Sequence, residues 1–62
     1  MNYAVIVRFK GNLGVHGIYK TRDAAQKRAD RITGGEVHIM KTYSTDENQV
    51  LSEFRSEEVR AL

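Results

Sequence analysis

Between Gly17 and Tyr43 the sequence spells a strand, a capped basic helix, a double glycine and another strand. Gly17-Ile18-Tyr19-Lys20 leads into a helix expected over Thr21 to Thr33, and Gly34-Gly35 separates it from Glu36 to Tyr43. Thr21 is placed to cap the helix with its hydroxyl, and Asp23 puts a negative charge in the first turn, where the helix dipole favours one. Asp23 and Lys27 stand four apart in the order that supports an ion pair. The inward face is Ala25, Ala29 and Ile32, with Ala24 at its edge. Alanines at that spacing let a helix backbone lie close on a sheet. The glycine pair ends the helix, one glycine taking the left-handed position beyond the last turn. Val37, Ile39 and Lys41 then alternate with His38, Met40 and Thr42, as a third strand does.

Tyr3 to Phe9 is the first strand, and it is apolar on both alternating sets. Tyr3, Val5, Val7 and Phe9 form one face; Ala4 and Ile6 start the other, which Arg8 and Lys10 carry into solvent. Lys10-Gly11-Asn12-Leu13-Gly14 is the expected turn, because Gly and Asn tolerate positive φ. Val15 to Lys20 returns as the second strand, making an antiparallel hairpin. One helix covers one sheet face, so Ala4, Ile6, Met40 and Ile18 need a second cover. Two covers are open: the C-terminal segment or a second copy of the chain as a homodimer.

In that segment Ser44 and Glu47 fit the spacing of a capping box, and Val50, Leu51 and Phe54 make an apolar stripe on a helix. Ser56 is placed to re-cap a final turn carrying Glu57 and Glu58. Gln49 to Arg55 also alternates as a strand after a Thr45-Asp46-Glu47-Asn48 turn; helix is the reading taken here. The fold class is therefore α+β. It comprises a small three-stranded antiparallel sheet with one packed helix, in the order β-β-α-β, and a C-terminal helix. All 62 residues form one domain, with a body at 1–43 and a tail at 44–62.

A chain of this size buries only about 60% of its unfolded surface, which leaves a thin margin. Cysteine is absent, which excludes disulfides, iron–sulfur clusters and thiolate zinc sites. No apolar run approaches the roughly 20 residues that span a bilayer. The opening Met1 to Val7 lacks a basic leader and a small-residue cleavage site, and reads as a strand. A soluble, cytoplasmic protein without membrane contact is the expectation. Charge is divided unevenly. Residues 1–42 carry eight Lys and Arg against three Asp and Glu, a net of +5; residues 43–62 carry two against five, a net of −3. A basic body suits an anionic partner, and the acidic end either packs back on it or repels it.

Lys27, Arg28 and Arg31 share one flank of the helix, with Lys20 and Arg22 near its start. Such a ridge neutralises phosphates, which supplies affinity without sequence readout. Tyr3, Tyr19, Tyr43 and Phe9 are the aromatics available for base stacking. Gly11, Gly14 and Gly17 precede a strand, whereas a phosphate cradle needs glycines ahead of a helix N-terminus. They read as hairpin glycines. His16 and His38, on strands that could be neighbours, with Glu36, have no spacing diagnostic of a metal site and read as surface histidines. Ser44, Ser52 and Ser56 have no histidine near them in sequence, and adjacent Glu57 and Glu58 point about 100° apart on a helix. The expectation is a non-enzymatic protein with no catalytic residue, metal or cofactor.

Tyr3-Ala4-Val5, Gly17-Ile18-Tyr19-Lys20-Thr21, an alanine-rich basic helix, Gly35, Lys41-Thr42-Tyr43, and Thr45-Asp46-Glu47 running to Phe54 together form a pattern of about fifty residues. It resembles the N-terminal hybrid-binding module of ribonuclease H enzymes. The resemblance implies a strand–strand–helix–strand–helix order. It also implies a grip on RNA–DNA hybrids through backbone contacts, aromatic packing and basic residues. Gly17, Tyr19, Thr21, Lys27 and Lys41 are the matching positions. Arg22 stands where that family has a tryptophan, and the link between the first two strands is longer than the family's.

The leading functional expectation is a small nucleic-acid-binding module acting by shape and phosphate contact. Lys20, Arg22, Lys27, Arg28 and Arg31 supply charge, with Lys41 in support and Tyr19 for stacking. The alternative is a protein-binding adaptor or inhibitor of the kind small viral or mobile-element reading frames encode. It would use Ile6, Met40, Val50, Leu51 and Phe54 as its interface.

Overall fold

A computed structural model describes residues 1–61 and has the α+β architecture expected. Its elements run β1 (Asn2–Phe9), β2 (Asn12–Tyr19), α1 (Arg22–Ala29), β3 (Glu36–Thr42) and α2 (Glu47–Ala61). The sheet order is β2-β1-β3, and β1 pairs antiparallel with both neighbours. The two-faced strand therefore occupies the centre of the sheet. Ala4, Val5, Ile6 and Val7 are all buried, two toward each helix layer.

The hairpin is tighter than the glycine pattern suggested. Phe9 pairs with Asn12, so the connection is Lys10-Gly11 alone, and Leu13 and Gly14 belong to β2. Both turn residues have positive φ, 51° and 82°. Such a turn follows the right-handed twist of the flanking strands. Further along, Val5 pairs with Gly17 but Ile6 with Val15, which leaves His16 as the extra residue of a bulge. The bulge switches the alternation of β2. Leu13 and Val15 before it, and Ile18 after it, all pack on the α2 side, while Tyr19 packs on the α1 side.

Helix α1 starts as expected: the Thr21 hydroxyl oxygen accepts from the Ala24 N–H at 3.1 Å. It ends earlier than expected, at Ala29, with Asp30 as its C-cap. The chain then tightens, as Arg31 N–H donates to the Arg28 carbonyl and Ile32 N–H to that of Ala29, each at 3.1 Å. Ile32 still reaches the core beside Ala25 and Ala29. Gly34 and Gly35 therefore do not cap the helix. Both hold positive φ, and a Cβ on Gly35 would stand 2.7 Å from the Arg8 carbonyl oxygen. Their work is the close approach of the loop to β1.

The second sheet face is covered by α2, which settles the helix-or-strand alternative. Val50, Phe54 and Leu51 pack on Ala4, Ile6, Met40, Leu13, Val15 and Ile18. This corrects the expected interface. Ile6, Met40, Val50 and Phe54 are buried and Leu51 half-buried in the chain's own core, so they offer no surface to a partner. The same burial removes the need for a second copy as cover. The helix start also differs from the expected box. Val50 N–H bonds the Asp46 carbonyl, and Asp46 Oδ1 accepts from Asn48 N–H at 3.3 Å, so Asp46 is the cap. Ser44 instead bonds Asp46 N–H at 3.0 Å. No break occurs at Ser56, and α2 runs on to Ala61.

Two polar contacts tie α2 down. Buried Thr42 donates its hydroxyl to Glu53 at 2.7 Å and accepts from Ser44 N–H at 3.0 Å. At the other end Arg8 donates to Glu58 at 2.5 Å. The acidic segment thus packs back on the basic body.

Candidate nucleic-acid interface

Ala24, Lys27, Arg28 and Arg31 follow the i, i+3, i+4, i+7 spacing that brings side chains onto one helical flank. The flank faces β2, and there these four residues and Tyr19 line a shallow depression of ≈230 Å³. Arg31 lies past the end of α1, but the tightened turn after Ala29 keeps it on the flank. Ala24 is small enough to leave the space open, and Tyr19 at the end of β2 supplies its aromatic wall.

The half-buried Tyr19 ring is held by its neighbours. It lies over Gly17, where a side chain would come within 2.7 Å of its Cζ, and it pairs across the sheet with Tyr3. Val5, opposite Gly17, supports the strand from below. Arg28 is fixed in turn, because its Nε–H donates to the His16 carbonyl at 3.4 Å. The bulge that turns Tyr19 toward α1 thus also offers the carbonyl that orients Arg28.

Electrostatically the ridge is lightly compensated. Lys27 meets Asp23 at 3.5 Å, with both side chains about four-fifths exposed, so solvent screens the pair. Asp30 accepts from Gln26 at 2.8 Å rather than from a cation. Among the described residues no carboxylate pairs with Lys20, Arg22, Arg28, Arg31 or Lys41.

The sequence-expected site is divided by the fold. Tyr19, Lys27, Arg28 and Arg31 come together. Arg22 lies on the opposite flank of α1, in a hollow shared with Gln26, Asp30, Val37 and Ile39. Lys20 is exposed in the bend before α1. Lys41 is exposed on β3, opposite Tyr3, so Tyr19, Tyr3 and Lys41 form one row across the end of the sheet. Of the other aromatics, Tyr43 is exposed beyond β3, and exposed Phe9 carries Lys10 over its ring at 5.3 Å.

Gly17 and Ala24 gain their importance only in three dimensions. The i, i+7 relation of Ala24 to Arg31 was visible in the chain; the ring over Gly17 was not. Arg8 and Glu58 were also missed as a pair. Their signal was the stripe Val50, Phe54, Glu58 at intervals of four, aimed at the face that ends in Arg8. The hydrogen bond from Arg8, reinforced by its charge, holds the Glu58 carboxyl below the usual carboxylate range, against the opposing effect of desolvation. The same bond raises Arg8.

The histidines are not neighbours, because β1 lies between β2 and β3. His16 is exposed at the bulge. His38 packs its ring on Phe54 at 5.1 Å, with Nε2 3.8 Å from Glu36. Among the described residues no three His, Asp or Glu side chains group as a metal site would require. A larger hollow of ≈500 Å³ among Ser52, Arg55, Ser56, Val59 and Arg60 is made by the outer surface of α2 alone. No second element shapes it. Among the described residues no helix is long and apolar enough to cross a membrane.

Comparison of the chain with protein-family models, with curated proteins and with solved structures returned no match.

Proposed function

We propose that this protein is a small, non-enzymatic nucleic-acid-binding module that holds phosphates along the β2-facing flank of α1. One observation carries the reading: Lys27, Arg28 and Arg31 converge with Tyr19 on a single depression, and among the described residues only exposed Asp23 answers their charge. Three cations on one flank can neutralise phosphates and supply affinity by releasing counterions. Lys20, next to Tyr19, extends the positive surface toward the row that ends in Lys41. Arg22, on the other flank, is assigned no contact in this site.

The resemblance to hybrid-binding modules supports the reading through Gly17, Tyr19, Thr21, Lys27 and Lys41. With Arg22 in place of the family's tryptophan, a preference for RNA–DNA hybrids is an open arm of the test. The adaptor reading has lost its surface, since Ile6, Met40, Val50, Leu51 and Phe54 form the core under α2.

The test is a titration of the purified chain against single-stranded DNA and RNA, both duplexes and an RNA–DNA hybrid, at two salt concentrations. Micromolar or tighter binding that weakens with salt supports the proposal. Absence of binding to every form at low salt overturns it.

A further inference from the structure

The depression that collects the cations also has an aromatic wall suited to a base rather than to a phosphate. Tyr19 lies along β2 over Gly17, with its Cε2, Cζ and hydroxyl oxygen in the space that a Cβ there would occupy. Its remaining surface lines the depression with Ala24, Lys27, Arg28 and Arg31. An aromatic face flanked by cations accepts any base by stacking, while the cations take the neighbouring phosphates. In a duplex each base face is already covered by its neighbours in the stack. Reaching the ring requires extrusion of the base, at the expense of its pairing and stacking. A single strand presents unstacked bases without that cost.

The placement of charge leads to the same ligand. The cations of the depression rise from one wall, α1, and Arg22 turns to the opposite flank beside Asp30. One wall of charge tracks one backbone.

Resting on the nucleic-acid reading above, we infer that the ligand is single-stranded nucleic acid, with one unpaired base stacked on Tyr19 and its flanking phosphates on Lys27, Arg28 and Arg31. The chain carries three tyrosines and no tryptophan, so the difference in tyrosine emission between wild type and a Tyr19 variant reports stacking on that ring.

The experiment compares short oligothymidylate and oligouridylate with duplex DNA and an RNA–DNA hybrid, using wild type, Tyr19→Leu and Tyr19→Phe. Circular dichroism first establishes that each variant is folded. Single strands should bind about tenfold more tightly than duplexes, the order of gain that one base–aromatic stack supplies. Their binding should quench tyrosine emission. Tyr19→Leu should lose that advantage and the Tyr19 part of the quench, whereas Tyr19→Phe should keep the preference for single strands. Should Tyr19→Leu fail to fold, Tyr19→Phe together with the wild-type quench and strand preference decides the matter. Equal or tighter duplex binding, or single-strand binding without quench, overturns this inference while leaving the nucleic-acid proposal in place. No binding to any form removes both.

Discussion

The Tyr19 ring occupies the space that a side chain on Gly17 would fill: a Cβ there would stand 2.5 Å from the ring's Cε2 and from its hydroxyl oxygen. The two residues lie two apart on β2, on the same side of the sheet after the bulge at His16. Glycine at 17 is thus a condition for the position of the aromatic wall. Gly17→Ala should destabilise the chain by about 1–3 kcal/mol, as overpacking does. In the background of Tyr19→Ala the same change should cost less, the remainder being backbone strain at Gly17, whose φ is 154°. A double-mutant cycle by urea unfolding checks this, and additive costs would mean that the ring does not depend on Gly17.

The core under α2 makes a second prediction. Phe54→Ala should cost about 3–5 kcal/mol, a large share of the stability available to so small a domain. Ile6→Glu should leave the chain unfolded, because it places an unpaired charge at a site with no exposure. Circular dichroism and urea titration read both. A folded Ile6→Glu protein that had merely changed its oligomeric state would show that this face is an interface after all.

Much of this layout was legible in the sequence, and the reasons are specific. Apolar residues on both alternating sets of Tyr3 to Phe9 required two covers, and β1 has two. Thr21 followed by Asp23 marked a helix start, and the start is there. The misreadings share a cause: glycine marks permissive backbone without saying what it permits. Gly14 sits within a strand, Gly35 serves a close approach to Arg8, and Gly17 makes room for a ring. The end of α1 was misplaced because Arg31 and Ile32 continue the turn in a tighter form. Of the candidate site, the flank Lys27, Arg28 and Arg31 could be read from spacing alone. Its union with Tyr19, and the exclusion of Arg22, depend on how α1 lies across the sheet, which no local pattern encodes.

The helix start offers a smaller, separate test. Removing the Thr21 hydroxyl leaves the Ala24 N–H without its partner, so Thr21→Ala should cost about 1 kcal/mol. Thr21→Ser should retain most of that. Equal loss in the two variants would assign the effect to the methyl group instead of the cap.

Glu58 brings a pH dependence of defined sign. Its carboxyl is lowered in the folded chain by the Arg8 hydrogen bond, so the unfolded chain binds its proton first as pH falls. The contribution is complete above the ordinary glutamate range and is lost as pH drops through the lowered folded value. Glu58→Gln should flatten the acid side of the stability profile and leave its slope near neutrality unchanged. An unaltered acid limb in that variant would mean that the pair contributes nothing to folding.

The claim that the α1 flank holds phosphates is tested most directly by the salt dependence of binding. Wild type and the combined Lys27→Gln, Arg28→Gln, Arg31→Gln variant would be titrated with the same single-stranded oligonucleotide over a series of salt concentrations. Each phosphate contact on a single strand contributes about 0.7 to the logarithmic slope, so loss of three should make it shallower by about 2, with a large drop in affinity at low salt. Identical slopes and affinities for the folded variant and wild type would contradict the assignment.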